Sequence, residues 1–468
     1  MPTPVMIDAL GPNGPYRARH RRLVEDVTGH SIGELSLVPP VFVTRAISAL
    51  RRCAPMAAGQ RRTALARAAD IFASGEPGGM PVAEYESLVS RLGTPISHVR
   101  AAVEAIRSSA ESAHLQMLTS RPAGAARDWR EPGIHEGGAV WIRRGDVFAV
   151  HTAGNHPAVN ALWLEALALG YKVALRPSQR EPLTPFRLVH ALREAGFGDG
   201  QVMLLPTDHA GADLVLAQAD LGMVYGGQET VDKYAANPNI LPNGPGRSKI
   251  LITADSDWRD ALDMIVDSVA AQGGVTCVNA TAVYVEGDPT DLATALAERL
   301  AVLPSLPPQD SDAVLPVQSA ASARALAQYL STQAEGTRAV LGADRVVDEL
   351  GDGSAVLRPA VHVVDDPSAP QLAIELPFPS VWVAPWNRQA GTKPFRDSLV
   401  VTAVTQDVEL FEALLTDPSI RNLYQGHHPT HWMAVGVPHD GFLGDFAMRS
   451  KGVITSPSLT PQVARAFS

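Results

Sequence analysis

The sequence predicts an α/β protein with two parallel-sheet domains and a small additional β element, on three observations. Short apolar strands alternate with helices between residues 146 and 226, the alternation restarts at Lys249, and the strings AVWIRR and GVITSP read as strands outside both runs. Strands separated by helices pair in parallel, because the crossover helix returns the chain to the same end of the sheet.

The elements follow in order. Val41 to Ser74 reads as two amphipathic helices broken at Ala54-Pro55, and Val82 to Leu118 as more helix. A polar, Gly/Pro-rich stretch, Ser120 to Gly138, precedes the strands AVWIRR and DVFAVHT. Then come a helix at Ala158 to Leu169, a strand at Lys172 to Leu175, a helix at Pro185 to Ala195, the strand GQVMLLP, a helix at Ala210 to Gln218 and the strand LGMVYG. The second run holds KILIT, a helix from Trp258 to Gln272, the Gly273-Gly274 break, TAVYVEG, AVLPV, a helix from Ala320 to Gln333, VHVV, SVWVAP and LVVTAVT. In the tail, HWMAVGVP and GVITSP read as short strands that can pair with AVWIRR or with another subunit.

Bulk properties exclude several classes. With 46% hydrophobic and 19% charged residues the 468-residue chain is an ordinary globular protein. A net charge of −10 opposes non-specific nucleic-acid binding. Two cysteines, Cys53 and Cys277, build neither a disulfide framework nor a cysteine-rich zinc site, and a reducing cytoplasm suits them. The first residues lack the basic-then-apolar pattern of a signal peptide, and the longest apolar run, Ala158 to Leu169, is too short for a membrane span.

Cys277 follows a helix and a Gly-Gly turn that lets backbone approach a ligand closely. A thiolate there can attack a carbonyl while neighbouring N–H groups hold the oxyanion. Cys53, inside an amphipathic helix, reads as a small buried hydrophobe.

The string GGVTCVNATAVYV resembles the active-site segment of the aldehyde dehydrogenase superfamily. ISALRRCAPMAAGQRRTALARAADIFAS, TAGNHP, ALALGYKVALRPS, VYGGQE and ELPFPSV resemble further family segments, in the family's order and over nearly the whole chain. The resemblance implies a dinucleotide-binding domain (residues 1–118 and 145–248), a catalytic domain (249–425) and oligomerisation or bridging segments (119–144 and 426–468), assembled as a homodimer or homotetramer. It implies Cys277 as nucleophile and Asn155 as a second oxyanion donor beside the Cys277 N–H. It places Arg176, Pro177, Ser178 and Gln179 at the adenosine ribose, and Gly226, Gly227 and Gln228 at the pyrophosphate. Gln179 stands where NAD-preferring members often carry Glu, which leaves NAD and NADP both open. Glu375 and Phe378 would meet the nicotinamide ribose, although alignment from Phe378 puts the expected Glu one place off, at Leu376.

One departure bears on the reaction. Where the family carries the Glu that activates water, LPNGPGRSK puts Asn243, 34 residues before Cys277. Asn cannot accept a proton at neutral pH. The CoA-acylating branch and the fatty acyl reductases of bacterial light-emitting systems also lack this Glu. The pattern therefore favours exchange of an acyl group with a thioester such as acyl-CoA, with CoA as co-substrate. Conventional oxidation of an aldehyde to an acid is the alternative, and an impaired binding or scaffold subunit a third reading.

His156, next to Asn155, lines the substrate path, tunes the Cys277 thiolate or simply fills space. His427, His428 and His431 have an HHxxH spacing but no acidic neighbour in sequence, and read as a loop at the substrate entrance or a subunit contact. Trp163, Phe378, Trp432 and Phe442 are candidates for an apolar tunnel, and equally for core.

Overall fold

The computed structural model describes residues 4–131, 134 and 137–454. Two seven-stranded sheets carry the fold. The first runs Ile240–Asn243, Leu221–Tyr225, Val147–His151, Lys172–Arg176, Val202–Leu204, Ala9–Gly11, Gly14–Tyr16. Its first five strands are parallel, and Ala9–Gly11 adds antiparallel to Val202–Leu204. From Val147–His151 the chain builds outward on one side through Lys172–Arg176 and Val202–Leu204, then returns to the other side at Leu221–Tyr225. That reversal opens a crevice at the carboxyl ends of Val147–His151 and Leu221–Tyr225, where open α/β sheets bind ligands.

Alternation along the strands explains why the sheet is buried on both faces. Phe148, Val150, Val173 and Leu175 pack with the helices Ala58–Ser74, Ile96–Ser120 and Leu183–Leu192. Val147, Ala149 and Ala174 pack with Pro40–Arg52 and His209–Gln218 on the other face. Full burial of a side chain such as Phe148 contributes about 1.5–3 kcal/mol.

The second sheet runs Arg338–Leu341, Ala360–Val363, Ser380–Trp386, Ala280–Glu286, Ser248–Ile252, Ser398–Val404, Ile420–Gln425, and all but the first strand are parallel. The helix Trp258–Ala270 covers one face through Ala261, Met264, Ile265 and Val269, spaced three and four apart. Its N-terminus is capped by Asp257, whose carboxylate accepts from the Arg259 N–H at 3.0 Å. A third sheet joins Ala125–Ala126, Gly138–Arg143 and Met448–Val453, the last two antiparallel. The tail strand therefore pairs with the AVWIRR segment inside the same chain.

Several expectations need correction. HWMAVGVP forms turns, not a strand: Gly436 and Pro438 break it, and its Trp432 carbonyl accepts from the Tyr424 hydroxyl at 3.0 Å. Of GVITSP only Gly452 and Val453 are in a strand, and residues 455–457 lie outside the described residues. The helix expected at Ala158 to Leu169 is in two pieces: a tight turn, Pro157–Ala161, opened by Pro157, and a short helix, Leu164–Leu169. AVLPV contributes only Val317 to a strand, since Pro316 has no N–H to pair. The strands before residue 40, including Arg21–Glu25 and Ser31–Ser36, had no counterpart in the sequence reading. No helix among the described residues is long and apolar enough to cross a membrane.

Candidate active site

Cys277 sits in the loop between the helix Trp258–Ala270 and the strand Ala280–Glu286. The helix stops because Gln272, Gly273 and Gly274 take positive φ of 54°, 75° and 66°. Gly274 is obligatory: a Cβ there would lie 2.5 Å from the Pro379 nitrogen. Gly246 is equally constrained, with a Cβ position 1.8 Å from the Cys277 carbonyl oxygen. Asn279 holds the loop from below, accepting from the Thr276 N–H at 2.9 Å and donating to the Ser268 and Ala271 carbonyls. The Ser248 hydroxyl donates to the Cys277 carbonyl at 3.0 Å. The Cys277 N–H has no acceptor among the described residues, so it is free to meet an oxyanion.

Asn155 reaches the same loop from the first sheet. Its side-chain Nδ2 donates to the Val275 carbonyl at 2.9 Å, which leaves its second N–H uncommitted. The structure thus brings Asn155 and Cys277 together.

The residue that touches the thiol was missed in the sequence. His439 Nε2 lies 3.8 Å from Cys277 Sγ, and its Nδ1 lies 2.6 Å from the Asp440 carboxylate. Burial works against a charged ring here. The Asp440 and Cys277 charges and hydrogen bonds outweigh it and hold His439 well above the usual imidazole range. Asn422 fixes this segment by donating to the carbonyls of His439 and Leu399. The only local signal was a His-Asp-Gly string 162 residues after Cys277.

Tyr225, at the crevice end of its strand, closes the site from the first sheet. Burial, then the charges of Asp440 and Cys277, raise its phenol well above the ordinary value, so it stays protonated. Asn243 ends the neighbouring strand in register with Tyr225, is nearly buried and makes no side-chain hydrogen bond among the described residues. Its carbonyl accepts from the Gly226 N–H at 3.1 Å.

The remaining candidates divide. Glu375 Oε2 accepts from the Gly246 and Arg247 N–H groups at 2.9 and 3.1 Å, while burial raises its carboxyl against these donors. It therefore braces the strand that faces Cys277. Phe378 is 1% exposed and belongs to the second domain's core. Gly226 and Gly227 are exposed, and Gly227 has open space around it. Gln228 opens the helix Gln228–Tyr234 and accepts from Arg247 at 2.8 Å. Arg176 ends its strand with a buried Nε that has no partner, and Pro177 is buried beside it. The Ser178 N–H donates to the Thr152 hydroxyl at 3.1 Å, and Gln179 Nε2 to the Thr207 carbonyl at 3.4 Å.

Among the described residues His156 makes no hydrogen bond to the Cys277 thiol. Burial pushes it down to about 3, and its Nδ1 accepts from the Ala158 N–H at 3.2 Å, so it is a neutral cap of the Pro157 turn. His431 does have an acidic neighbour, Asp267 at 3.4 Å, and His428 packs on Trp432. No three His, Cys, Asp or Glu among the described residues are grouped to hold a metal. Trp163 and Phe378 fill separate cores and Trp432 is exposed, so the four aromatics do not line one tunnel. Cys53 accepts from Gln201 at 3.3 Å, remote from this site.

A dinucleotide fits the crevice of the first sheet. The unpartnered Nε of Arg176 and the unpartnered Nε2 of the 6% exposed His151 ring stand at its rim, and exposed N–H groups open the Gln228 turn.

The model of the aldehyde dehydrogenase family matches residues 27–386. Solved structures agree over nearly the full length. An indole-3-acetaldehyde dehydrogenase of P. syringae in complex with NAD+ is 16% identical, with a TM-score of 0.81 over 97% of this chain and 98% of that one. An aldehyde dehydrogenase of Bacillus cereus in complex with NAD+ is 15% identical, with a TM-score of 0.81 over 97% of each chain. A 3,6-anhydro-L-galactose dehydrogenase in complex with NADP is 16% identical, with a TM-score of 0.79 over 96% and 99%.

Proposed function

The chain belongs to the aldehyde dehydrogenase family, and from that premise we propose that it is an NAD(P)-dependent oxidoreductase that interconverts an aldehyde and an acyl thioester through Cys277. The observation that carries the reading is the pair of contacts on His439, 3.8 Å to Cys277 and 2.6 Å to Asp440, together with an Asn243, in register with Tyr225, that cannot act as a base.

His439 takes the Cys277 proton, and the resulting imidazolium is stabilised by Asp440. The thiolate adds to the thioester carbonyl, and the oxyanion is held by the Cys277 N–H and the free N–H of Asn155. Collapse expels the leaving thiolate, to which His439 returns the proton, and the acyl group stays on Cys277. A reduced nicotinamide held in the crevice would supply hydride to the acyl carbon on Cys277, and Cys277 would then leave as thiolate, freeing the aldehyde. In the opposite direction His439 takes the proton of an incoming thiol, whose pKa of about 8.5 is within reach of an imidazole as that of water is not.

Arg176, Pro177, Ser178 and Gln179 would hold the adenosine ribose, and Gly226, Gly227 and Gln228 the pyrophosphate, with Glu375 and Phe378 supporting the catalytic strand. On this reading residues 1–118 and 145–248 bind the dinucleotide, 249–425 carry the chemistry, and 119–144 with 426–468 bridge subunits of a homodimer or homotetramer in the reducing cytoplasm.

Conventional oxidation to an acid is the second reading, favoured by family membership itself. An aldehyde panel with NAD or NADP, with and without CoA, separates the two by absorbance of the reduced cofactor. Turnover that depends on CoA is expected. Acid formation without CoA would overturn the thioester reading, and absence of any cofactor binding would leave only a scaffold.

A further inference from the structure

The N-terminal strand Arg21–Glu25 contributes a cation to the rim of the dinucleotide crevice. Arg22 Nη1 donates to Gln179 Oε1, 157 residues away, and Gln179 Nε2 is held in turn by the Thr207 carbonyl at 3.4 Å. Three nearby arginines have a carboxylate: Arg17 pairs with Asp8, Arg21 with Glu34 and Arg91 with Asp26. Among the described residues Arg22 has only a neutral amide oxygen.

Gln179 lies just past the carboxyl end of Lys172–Arg176, the second strand of the first βαβ unit. In dinucleotide-binding sheets the group at that position meets the ribose 2′-substituent: a carboxylate accepts from a 2′-hydroxyl, and an arginine accommodates a 2′-phosphate. This chain places no Asp or Glu in residues 176–180. It places Arg176, whose side chain makes no hydrogen bond or ion pair among the described residues and whose Nε is buried without a partner. Arg180, exposed, also has no side-chain partner among them.

His151 is in register with Arg176 on the same face, and its Nε2 is buried and unpartnered. The nearby acids have hydrogen-bond partners of their own, and Asp208 keeps a charge that also acts on Arg176. Asp208 caps the helix His209–Gln218 through the Gly211 N–H at 2.8 Å, and Asp213 binds Lys233 and Tyr234 at 2.7 and 2.9 Å. The Arg22 guanidinium on Gln179 and the Arg176 guanidinium with its unpartnered Nε suit a phosphate dianion, for which Arg offers paired donors.

We infer that Arg22 and Arg176 together read the 2′-phosphate of the adenosine ribose, so that NADP(H) is the preferred dinucleotide and Arg22 a specificity-determining residue. The inference rests on the dinucleotide site assigned above. Gln179 is then a spacer that orients Arg22 without repelling the phosphate.

Direct binding tests it without turnover. Titration calorimetry of the intact protein with NADP+, NAD+, 2′,5′-ADP and 5′-AMP should show NADP+ tighter than NAD+ and 2′,5′-ADP tighter than 5′-AMP, each by about ten- to a hundredfold. Arg22→Ala, at an exposed strand position, should remove about tenfold or more of NADP+ affinity, change NAD+ affinity less than about twofold, and leave the melting temperature in place. Arg22→Lys should recover part of the loss. NAD+ binding as tightly as NADP+, or Arg22→Ala weakening both equally, would overturn the inference while leaving the dinucleotide site intact. Failure of both dinucleotides to bind would instead overturn the dinucleotide site itself.

Discussion

His439 Nε2 stands 3.8 Å from Cys277 Sγ, and the ring is reached from behind by Asp440 at 2.6 Å. This order of nucleophile, base and orienting carboxylate gives the ring one job at neutral pH: to carry the proton that the thiol gives up. His439→Gln should lower the rate of thioester cleavage by about 10²–10⁴. Asp440→Asn removes the charge that holds the His439 proton, so the ring should release it at lower pH. The alkaline limb of the pH–rate profile should then move downward. Stopped-flow release of a chromogenic thiol checks both variants, and a limb that stays put in Asp440→Asn would contradict the assignment.

Asn243 gives a test of gain. It ends its strand at 9% exposure, in register with Tyr225, beside the site and without a proton acceptor. Asn243→Glu introduces a carboxylate whose pKa burial should raise toward neutrality, which suits a base that activates water. Acid formation without CoA should rise, and the share of turnover that requires CoA should fall. Quantifying acid and thioester by mass spectrometry decides it; a variant with an unchanged product ratio places the water route elsewhere.

Two glycines should respond with opposite sign. At Gly274 a methyl group would meet Pro379 backbone at 2.5 Å in a left-handed conformation. Gly274→Ala should therefore cost about 2 kcal/mol or more and displace the Cys277 loop. Gly59 lies in the helix Ala58–Ser74 with nothing within 4 Å of its Cβ position. Gly59→Ala should stabilise by about 0.5–1 kcal/mol through the unfolded chain. Urea unfolding curves of the pair measure both effects.

What the sequence made legible was local. The Gly-Gly turn before Cys277 and the strand after it occupy one continuous string, and the βα alternation announces both sheets. Asn155 was legible only through the family resemblance, since its bond to Val275 spans 120 residues. His439 was not legible: it lies on an irregular segment with no hydrophobic period, and Asn422 and Asp440 orient it. The histidines that did stand out, His427, His428 and His431, owe their spacing to a loop that packs on Trp432 and Asp267. Arg22 escaped for a similar reason, since its strand is five residues long and its partner is 157 residues away.

Glu165 links the same tail to pH. It lies on the helix Leu164–Leu169, 8% exposed, with an unpartnered Oε1, against the helix Leu443–Ala447 that directly follows the His439 segment. Burial pushes its carboxyl up to about 7, although the Leu443 and Gly444 N–H groups pull the other way. The folded value thus exceeds the ordinary one of 4.5, so the native state keeps a proton that the unfolded chain releases. Stability from this group is full below about pH 4.5 and falls as pH rises toward 7, by on the order of 3 kcal/mol. Glu165→Gln keeps the neutral shape and abolishes the titration. The variant should match the parent near pH 4.5 and exceed it at pH 8 in urea unfolding. Because this contact anchors the helix after Asp440, the parent should also lose thioester-cleavage activity at alkaline pH under mild urea before the variant does. Equal pH dependence of stability in the two proteins would show that Glu165 ionises freely and does not couple the tail to pH.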